Sequence, residues 1–205
     1  MRERETEWTE LMRLANSGDG AAYHRLLTVV APVLRALAQR GLARAVLRAL
    51  GESLDWELGM FWSRDEHRQV IRFVDLWHAP HVDAAAFVDD SRGRTFQRGE
   101  GLIGRVWETG EPIWIPDVSA DPTFRRGTMA AGVGLRGGFA FPVCKGEQLY
   151  GVMEFFSRQS REPDQDVLDM VADIGIKVGL FMDRKRTEEE LRRTEARLVE
   201  EQRLG

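Results

Sequence analysis

The sequence predicts an α+β domain in which a sheet has helices on both faces and a long helix follows it. Between about residues 56 and 157, runs such as "FVDLWHA" and "GVMEFF" are rich in β-branched and aromatic residues, with large apolar side chains at both odd and even positions. After them, apolar residues recur at helical spacing from Val167 to Met182. A chain of 205 residues is long enough for one such domain with helical extensions.

The composition argues against several classes of protein. A formal net charge of -4 is unfavourable for nonspecific nucleic-acid binding, which needs a basic surface. Cys144 is the only cysteine, so neither an internal disulfide nor a cysteine-rich zinc site can form, as suits a reducing cytoplasm. The first residues lack the apolar run of a signal peptide, and no stretch approaches the length of an apolar membrane span. We therefore expect a cytoplasmic protein with no nucleic-acid and no membrane partner.

Residues 1–42 are predicted to form an N-terminal helical extension. Leucine and alanine recur there at helical spacing, and "NSGDG" separates two helices. Residues 21–50 include five arginines and no acidic residue, so this region is locally basic.

The middle of the chain alternates strand and helix signals. "LGMFWS" and "QVIRFVDLWHA" predict one hairpin, and "GFAFPVCK" and "QLYGVMEFFS" predict another around "GE". "DAAAFVDD" and "GLIGRVWETG" predict short helices, the second ending at Gly110, and "PIWI" predicts a strand. The loop from Pro116 to Gly138, with one helical turn predicted at "FRRGTMAAG", is long for a compact domain. Such loops are typical of lids and binding sites.

A long helix is predicted to begin near Pro163, and its character changes along its length. Up to Asp183 it carries an apolar stripe, and beyond that residue i,i+4 pairs of opposite charge dominate. Residues 184–205 are interpreted as a short parallel coiled coil, with a solvated single helix as the alternative. The residues expected at a dimer interface are Val167, Met170, Ile174, Val178, Phe181, Leu191 and Leu198.

The strings "GEGLIGRVWETGEPIWIPDVSADPTF", "GLRGGFAFPVCKGEQLYGVMEFFS" and "REPDQDVLDMVADIGIKVGLFMDRKRTEEEL" resemble a GAF domain, in particular the GAF domains of bacterial multidomain sensor histidine kinases. The resemblance covers roughly residues 43–186, and we assign the GAF domain to residues 43–183. It implies an antiparallel sheet of about six strands, with the amino- and carboxy-terminal helices on one face. A pocket roofed by loops and helices is implied on the other face.

A second, fainter resemblance involves residues 8–41, which are similar to the start of extracytoplasmic-function sigma factors. The promoter-reading helices of that family do not follow, so promoter binding is not carried over. A helical hairpin that aids dimerisation is the preferred interpretation, and contact with polymerase is the alternative.

Strand alternation along "GVMEFF" places Glu154 on the pocket side of the sheet, together with Val152 and Phe156. A buried carboxylate without a partner is costly, and Arg72 and Arg105 are the candidate partners. Two roles for Glu154 remain open at this point: recognition of a ligand, and structural anchoring of the pocket-side loop.

The expected ligand-binding residues are large or polar side chains near the implied pocket walls: Trp77, Phe96, Arg105, Trp107, Trp114, Phe124, Met129, Phe139 and Glu154. A largely apolar lining with a few polar groups is typical of small-molecule pockets. Core packing is nevertheless the preferred interpretation for Trp107 and Trp114. For Phe124 and Met129, which lie in the long loop, a lid or pocket lining is favoured.

No catalytic or metal-binding residues are predicted, and no cofactor is assigned. His78 and His81 are the only histidines close together, and the proline between them disfavours a helix on which they would share a metal. No GxxxxGK[ST] run is present to hold a phosphate. Within the GAF family, bilin attachment uses a cysteine commonly beside a histidine, whereas Cys144 precedes a lysine. Free methionine sulfoxide reductases of this fold need several cysteines, and the "NKFDE" signature of cyclic-nucleotide members is not visible.

The resemblance therefore implies a sensory, signal-transducing module rather than an enzyme. It would bind an unidentified small ligand, form a homodimer through its flanking helices, and signal along the C-terminal helix to an output domain such as a histidine kinase. Any kinase activity would lie outside these residues. The alternative is a non-catalytic interaction scaffold with an empty pocket, whose basic N-terminal helices dock a partner such as the transcription machinery.

Overall fold

The structure is a computed structural model, and it describes residues 42–204. Apart from Leu42, the predicted N-terminal extension and its sigma-like segment lie outside these residues. The elements in chain order are α1 (Leu42–Leu54), β1 (Leu58–Asp65), β2 (Val70–His78), α2 (Ala85–Arg92), β3 (Thr95–Phe96), α3 (Gly101–Thr109), β4 (Ile113–Ile115), α4 (Gly127–Gly132), β5 (Gly137–Lys145), β6 (Gln148–Ser157) and α5 (Gln165–Leu204).

Six strands form one sheet in the order β3-β2-β1-β6-β5-β4, and each neighbouring pair is antiparallel. The predicted hairpins β1–β2 and β5–β6 are confirmed, as are the short helices α2, α3 and α4. The edge strand β3 was not predicted from the sequence. β6 lies in the middle of the sheet, so its residues are hydrogen-bonded on both sides. This is the α+β architecture that the resemblance implies.

The two faces of the sheet bury separate cores. On one face, here called the helix side, α1 packs against β1 and β2 and α5 packs against β5. On the other face, the loop side, α2 contacts β2, α3 contacts β5 and β6, and α4 packs on α2. Alternation along β6 is as predicted, with Met153 and Phe155 in the helix-side core and Val152 and Phe156 in the loop-side core.

A β-bulge in β2 changes which face its later residues occupy. Phe61 pairs with Asp75 but the next β1 residue, Trp62, pairs with Phe73, so Val74 is an extra residue on β2. Before the bulge, Phe73 packs on the loop-side core. After it the alternation is reversed, and Trp77 packs on the helix-side core.

Helix α5 lies directly on the backbone of β5. A Cβ atom added at Gly175 would be 2.0 Å from the carbonyl oxygen of Pro142, and one added at Gly179 would be 2.1 Å from the carbonyl oxygen of Cys144. Glycine at these two positions therefore permits the close approach. Ile174 and Val178, which neighbour them, are buried in the helix-side core as a result.

α5 continues without interruption for 40 residues, so the predicted change from domain to charged linker near residue 183 falls inside one helix. Beyond Asp183 its side chains are mostly exposed. Within residues 42–204, no helix combines the length and the hydropathy that crossing a bilayer requires.

We predict that Gly175→Ala destabilises the domain even though alanine favours helices. The added methyl group meets the Pro142 carbonyl and forces α5 away from β5, which costs about 1–3 kcal/mol in the free energy of unfolding. Urea unfolding measures this change. The matched control is Gly132→Ala in α4, where no atom lies within 4 Å of the added Cβ. Equal stability of the two variants would contradict the close packing of α5.

Candidate functional site

A buried ion pair lies at the centre of the loop side. Arg126, which immediately precedes α4, donates a hydrogen bond from Nη2 to Oε2 of Glu154 on β6, over 2.6 Å. The two side chains are 1% and 0% exposed. The predicted partners of Glu154 were wrong: Arg72 lies 3.9 Å from Asp65, and Arg105 donates to Thr123. Both arginines lie farther toward solvent than Arg126.

Further hydrogen bonds reach both members of the ion pair. Trp62 donates from Nε1 to Oε1 of Glu154 over 2.8 Å, so each carboxylate oxygen has a donor. Arg126 donates from Nη1 to Oγ of Ser91 over 3.1 Å, and Ser91 in turn donates to the carbonyl oxygen of Phe87. Hydrogen bonds of this kind offset part of the cost of burying a charged group.

Aromatic rings surround the guanidinium group of Arg126. Its Cζ atom lies 5.0 to 5.6 Å from five ring centroids, those of Trp62, Phe87, Phe96, Phe124 and Phe156. At such distances a cation is attracted to the faces of aromatic rings. We call these five rings, together with Glu154 and Ser91, the aromatic chamber. Arg126 fills it.

The chamber is assembled from the sheet below and the long loop above. Glu154 pairs with Met60 on β1 and with Ala140 on β5, which places it in the middle of the sheet. Arg126 comes from residues 116–136, here called the roof segment, which connects β4 to β5 through α4. The sequence singled out this loop by its length, but not Arg126 within it.

Polar contacts at the surface hold the roof segment in place. Arg105 on α3 donates to Thr123 over 2.5 Å, and Arg125 forms an ion pair of 3.0 Å with Glu100. Both contacts are exposed, whereas the side chain of Phe124 between them is buried in the loop-side core.

The expected ligand-binding residues fall into two groups. Those on the loop side are Phe96, Phe124 and Glu154, which belong to the chamber, and Met129, Trp107 and Arg105, which lie around it. Those on the helix side are Trp77, Trp114 and Phe139.

The helix-side group cannot reach the chamber, because the sheet lies between them. The bulge in β2 directs Trp77 to the helix side. Trp114 and Phe139 are cross-strand partners whose rings stack with centroids 5.4 Å apart. Trp56 packs edge-on against both. These residues form the core beneath α1 and α5, which differs from the expected pocket wall.

Four residues of the chamber were not predicted from the sequence. Three contribute rings and one a hydroxyl group: Trp62, Phe87, Phe156 and Ser91. Phe156 was placed on the correct face but was not chosen as a lining residue. Trp62 could have been found by carrying the alternation of β6 across to its antiparallel neighbour β1. Phe87 and Ser91, one helical turn apart on α2, carry no distinct local signal.

A separate cavity of about 300 Å³ lies beside the β5–β6 hairpin. Cys144 and Leu149 line it together with Trp107, whose ring lies 5.3 Å from the Arg64 guanidinium carbon. Burial, assisted by the negative charge of Glu111, raises the pKa of the Cys144 thiol. At neutral pH the thiol is therefore protonated, and a protonated thiol is a poor nucleophile.

Where α5 leaves the domain, Asp183 connects it to the β5–β6 hairpin. Its two carboxylate oxygens accept hydrogen bonds from Lys145 Nζ and from the Tyr150 hydroxyl, each over 2.5 Å. The hydrogen bond from Lys145, with that from Tyr150, lowers the pKa of Asp183. Burial and the neighbouring Asp183 raise the pKa of Tyr150 to about 12. At neutral pH the contact therefore joins a carboxylate to an ammonium and a neutral phenol.

The histidine pair of the sequence does not form a metal site with the residues described. His81 lies 3.1 Å from Glu57, and His78 Nδ1 lies 3.0 Å from the carbonyl oxygen of Ala79. Across residues 42–204, no three His, Cys, Asp or Glu side chains are grouped so that they could hold a metal ion.

Comparison with known proteins identifies the family. A family model described as "GAF domain" matches residues 36–180. The chain therefore belongs to the GAF family, whose members are sensory and regulatory modules. A comparison with curated proteins finds no match.

Solved structures share the fold at low sequence identity. The GAF domain of A. aeolicus nlh2 in an inactive state is 19% identical, with a TM-score of 0.62, over 85% of this chain and 99% of that one. Free methionine-R-sulfoxide reductase from Neisseria meningitidis, in complex with its substrate, is 16% identical, with a TM-score of 0.63, over 82% and 92%. A domain assigned to a two-component sensor histidine kinase of Sinorhizobium meliloti 1021 is 18% identical, with a TM-score of 0.59, over 76% and 98%.

We predict strong energetic coupling between Arg126 and Glu154. Glu154→Gln leaves the guanidinium buried without a counter-charge, and Arg126→Met leaves the carboxylate in that position, so each costs about 3–5 kcal/mol in unfolding free energy. The double variant buries no charge and should lose far less than the sum of the two. A urea-unfolding double-mutant cycle measures the difference.

The matched control for this cycle is Arg125→Met, which removes the exposed neighbouring ion pair with Glu100. Its effect should stay within about 1 kcal/mol. Additive losses in the Arg126–Glu154 cycle would show that the pair is not the central contact of the loop side.

Proposed function

We propose that this chain is a cytoplasmic sensory module that binds a small ligand in the aromatic chamber and signals through α5 to an output domain such as a histidine kinase. The observation that carries the proposal is the buried Arg126–Glu154 pair inside a shell of aromatic rings, under a roof segment whose polar contacts with α3 and the loop before α3 are exposed. The family is sensory, and the similar S. meliloti structure is assigned to a sensor kinase.

The energetics of the ion pair support a role beyond stability. Removing two charges from water costs so much that apolar side chains of similar volume commonly stabilise a core as well or better. Glu154 and Arg126 are buried among aromatic rings, in surroundings suited to apolar side chains. Charged groups kept in such surroundings are typical of functional sites. We infer that they serve ligand recognition, and that anchoring the roof segment is part of the same role.

A route from the chamber to α5 runs through β6 and its hairpin. Glu154 and Tyr150 lie on the same strand, and Tyr150 donates to Asp183 of α5. Beyond Asp183 the helix is exposed and carries i,i+4 ion pairs such as Arg184–Glu188 and Arg186–Glu190. A ligand that binds one arrangement of roof and sheet more tightly than another would shift the population of α5 arrangements by that difference in affinity.

We propose a regulatory rather than a catalytic role. The structurally similar reductase acts on free methionine sulfoxide, but a disulfide relay needs more than the single cysteine of this chain. The raised pKa of Cys144 also disfavours nucleophilic chemistry.

A second candidate function is an interaction scaffold that binds no ligand. The complete filling of the chamber by Arg126 favours it, because a permanently occupied chamber has no room for a guest. In that case the fold would hold two chains together, and the basic N-terminal segment would dock a partner.

The two functions predict opposite outcomes for ligand binding. For a sensor, native mass spectrometry of the purified protein shows a retained small molecule, or a metabolite library raises the melting temperature. The same compound should change amide hydrogen exchange around Asp183 in α5. A library that neither raises the melting temperature nor changes exchange, with no retained molecule, would instead support the scaffold.

We also propose a homodimer, with its contact surface revised from the expected one. Val167, Met170, Ile174 and Val178 are buried in the helix-side core of their own chain, and so are not available to a partner. Phe181 is half-buried. The apolar side chains that α5 exposes near whole helical turns from one another are Ile176, Leu180, Leu191 and Leu198. We call these four the exposed stripe, and propose that it pairs with its copy in a parallel coiled coil.

We predict that Ile176→Glu combined with Leu180→Glu halves the molecular mass in solution, measured by light scattering, without unfolding the domain. Both side chains are about half exposed, so the charges are tolerated in a single chain but repel across a dimer. Arg193→Glu, an exposed residue that α5 directs away from the exposed stripe, is the control and should remain dimeric. An unchanged mass in the double variant would exclude the exposed stripe as the interface.

A further inference from the structure

The aromatic chamber surrounds a guanidinium group with a counter-charge, a hydrogen-bond acceptor and aromatic rings. Glu154 supplies a counter-charge at 2.6 Å from Nη2, and Ser91 supplies a hydrogen-bond acceptor at 3.1 Å from Nη1. Five ring faces or edges lie within 5.6 Å of the central carbon. These are the groups by which proteins recognise a planar organic cation from outside: a carboxylate along the N–H directions and aromatic rings around the plane.

We propose that the aromatic chamber is a binding site for a small organic cation of the guanidinium or amidinium class, and that Arg126 is an internal occupant which this ligand replaces. The inference rests on the proposed sensory function and names the chemistry of its ligand. Replacement moves Arg126 and the roof segment outward, while the ligand takes over the hydrogen bond to Glu154.

Other classes of ligand fit this chamber less well. Once Arg126 has left, an anion would meet the Glu154 carboxylate, and a neutral molecule would leave that carboxylate buried without a counter-charge. A quaternary ammonium ion satisfies the charge and the rings. It has no N–H group for Glu154 or Ser91, both of which accept hydrogen bonds from Arg126. A planar cation with N–H donors satisfies all three demands.

The roof segment is attached in a way that suits reversible displacement. The contacts that join it to α3 and to the loop before α3 are the exposed pairs Arg105–Thr123 and Arg125–Glu100. Exposed pairs of this kind are weak. Arg126 follows the exposed Arg125, so an outward movement of this part of the roof segment would bring its guanidinium toward solvent. Phe124 and Leu135 are buried, which keeps the closed arrangement the more populated one.

The test titrates the full chain with four small probes of matched size: ethylguanidinium, its neutral analogue ethylurea, the anion propionate, and tetramethylammonium. Concentrations stay in the low millimolar range, well below those at which guanidinium salts denature proteins. Two readouts are recorded: the melting temperature, and trypsin cleavage after Arg126 detected as a new amino terminus at Gly127. Cleavage at this bond requires Arg126 to leave the chamber, where it is 1% exposed.

We expect saturable stabilisation of the wild-type chain by ethylguanidinium, with faster cleavage after Arg126, and weaker or no effects of the other three probes. Arg126→Ala removes the internal competitor and should bind ethylguanidinium at least about tenfold tighter. Arg125→Ala weakens the closed arrangement without altering the chamber, and should tighten binding about two- to fivefold. Arg184→Ala, a similar loss of charge on exposed α5, should leave it unchanged. Glu154→Gln should abolish the binding of ethylguanidinium.

Two results would overturn the inference. If ethylguanidinium binds Arg126→Ala but neither binds the wild-type chain nor exposes Arg126, the arginine is a permanent structural part of the core. If propionate or ethylurea stabilises the wild-type chain and ethylguanidinium does not, the chamber takes another class of ligand while the sensory function stands. Should neither these probes nor a metabolite library bind, the proposed function fails together with the inference. Because the wild-type chain and Arg125→Ala are also read by binding, the test remains decisive if Arg126→Ala or Glu154→Gln does not fold.

Discussion

The hydrogen-bonded ion pair between Arg126 and Glu154 is the interaction on which the loop side of this domain depends. Glu154 lies in the middle of the sheet and Arg126 in the roof segment, so the pair joins these two layers. The rings around it could pack without a charge, but their present arrangement encloses the guanidinium plane. A change at either residue therefore acts on the position of the roof and on the rings together.

The two faces of the sheet differ in their packing and in their buried charge. The helix side is apolar and tightly packed, and glycines at 175 and 179 bring α5 onto the backbone of β5. Such a face transmits displacement because it has little free volume to absorb it. The loop side combines aromatic packing with buried charge, and is closed by a segment whose outer contacts are exposed. In the proposed sensory function, the loop side would bind the ligand and the helix side would carry the response.

The fold and three of the seven chamber residues could be predicted from the sequence, and particular residues show why the prediction went no further. Alternation along β6 correctly placed Glu154 on the loop side, because a period of two needs no knowledge of neighbouring strands. Phe139 was assigned to the wrong face, because its face depends on its pairing with Phe155 of the neighbouring strand. Trp77 was assigned to the wrong face because a bulge reverses the alternation of β2. Arg126 lies in a loop, where side chains follow no regular spacing. Its contact with Glu154 therefore could not be predicted from sequence periodicity. By contrast, the architecture was predicted from the order of the sequence motifs that resemble those of the family.

The unbroken course of α5 has a mechanical consequence. Its part beyond Asp183, residues 184–204, is about 30 Å long at 1.5 Å per residue, while its first half packs on the core. This part of α5 can therefore act as a lever, whose fixed end lies where Gly175 and Gly179 hold the helix against β5. A tilt of about 5° at the fixed end would move the far end by roughly 3 Å, about half the pitch of a helix. Successive residues are also rotated by about 100° about the helix axis. The number of residues beyond the fixed end therefore sets the direction in which an attached domain would be displaced.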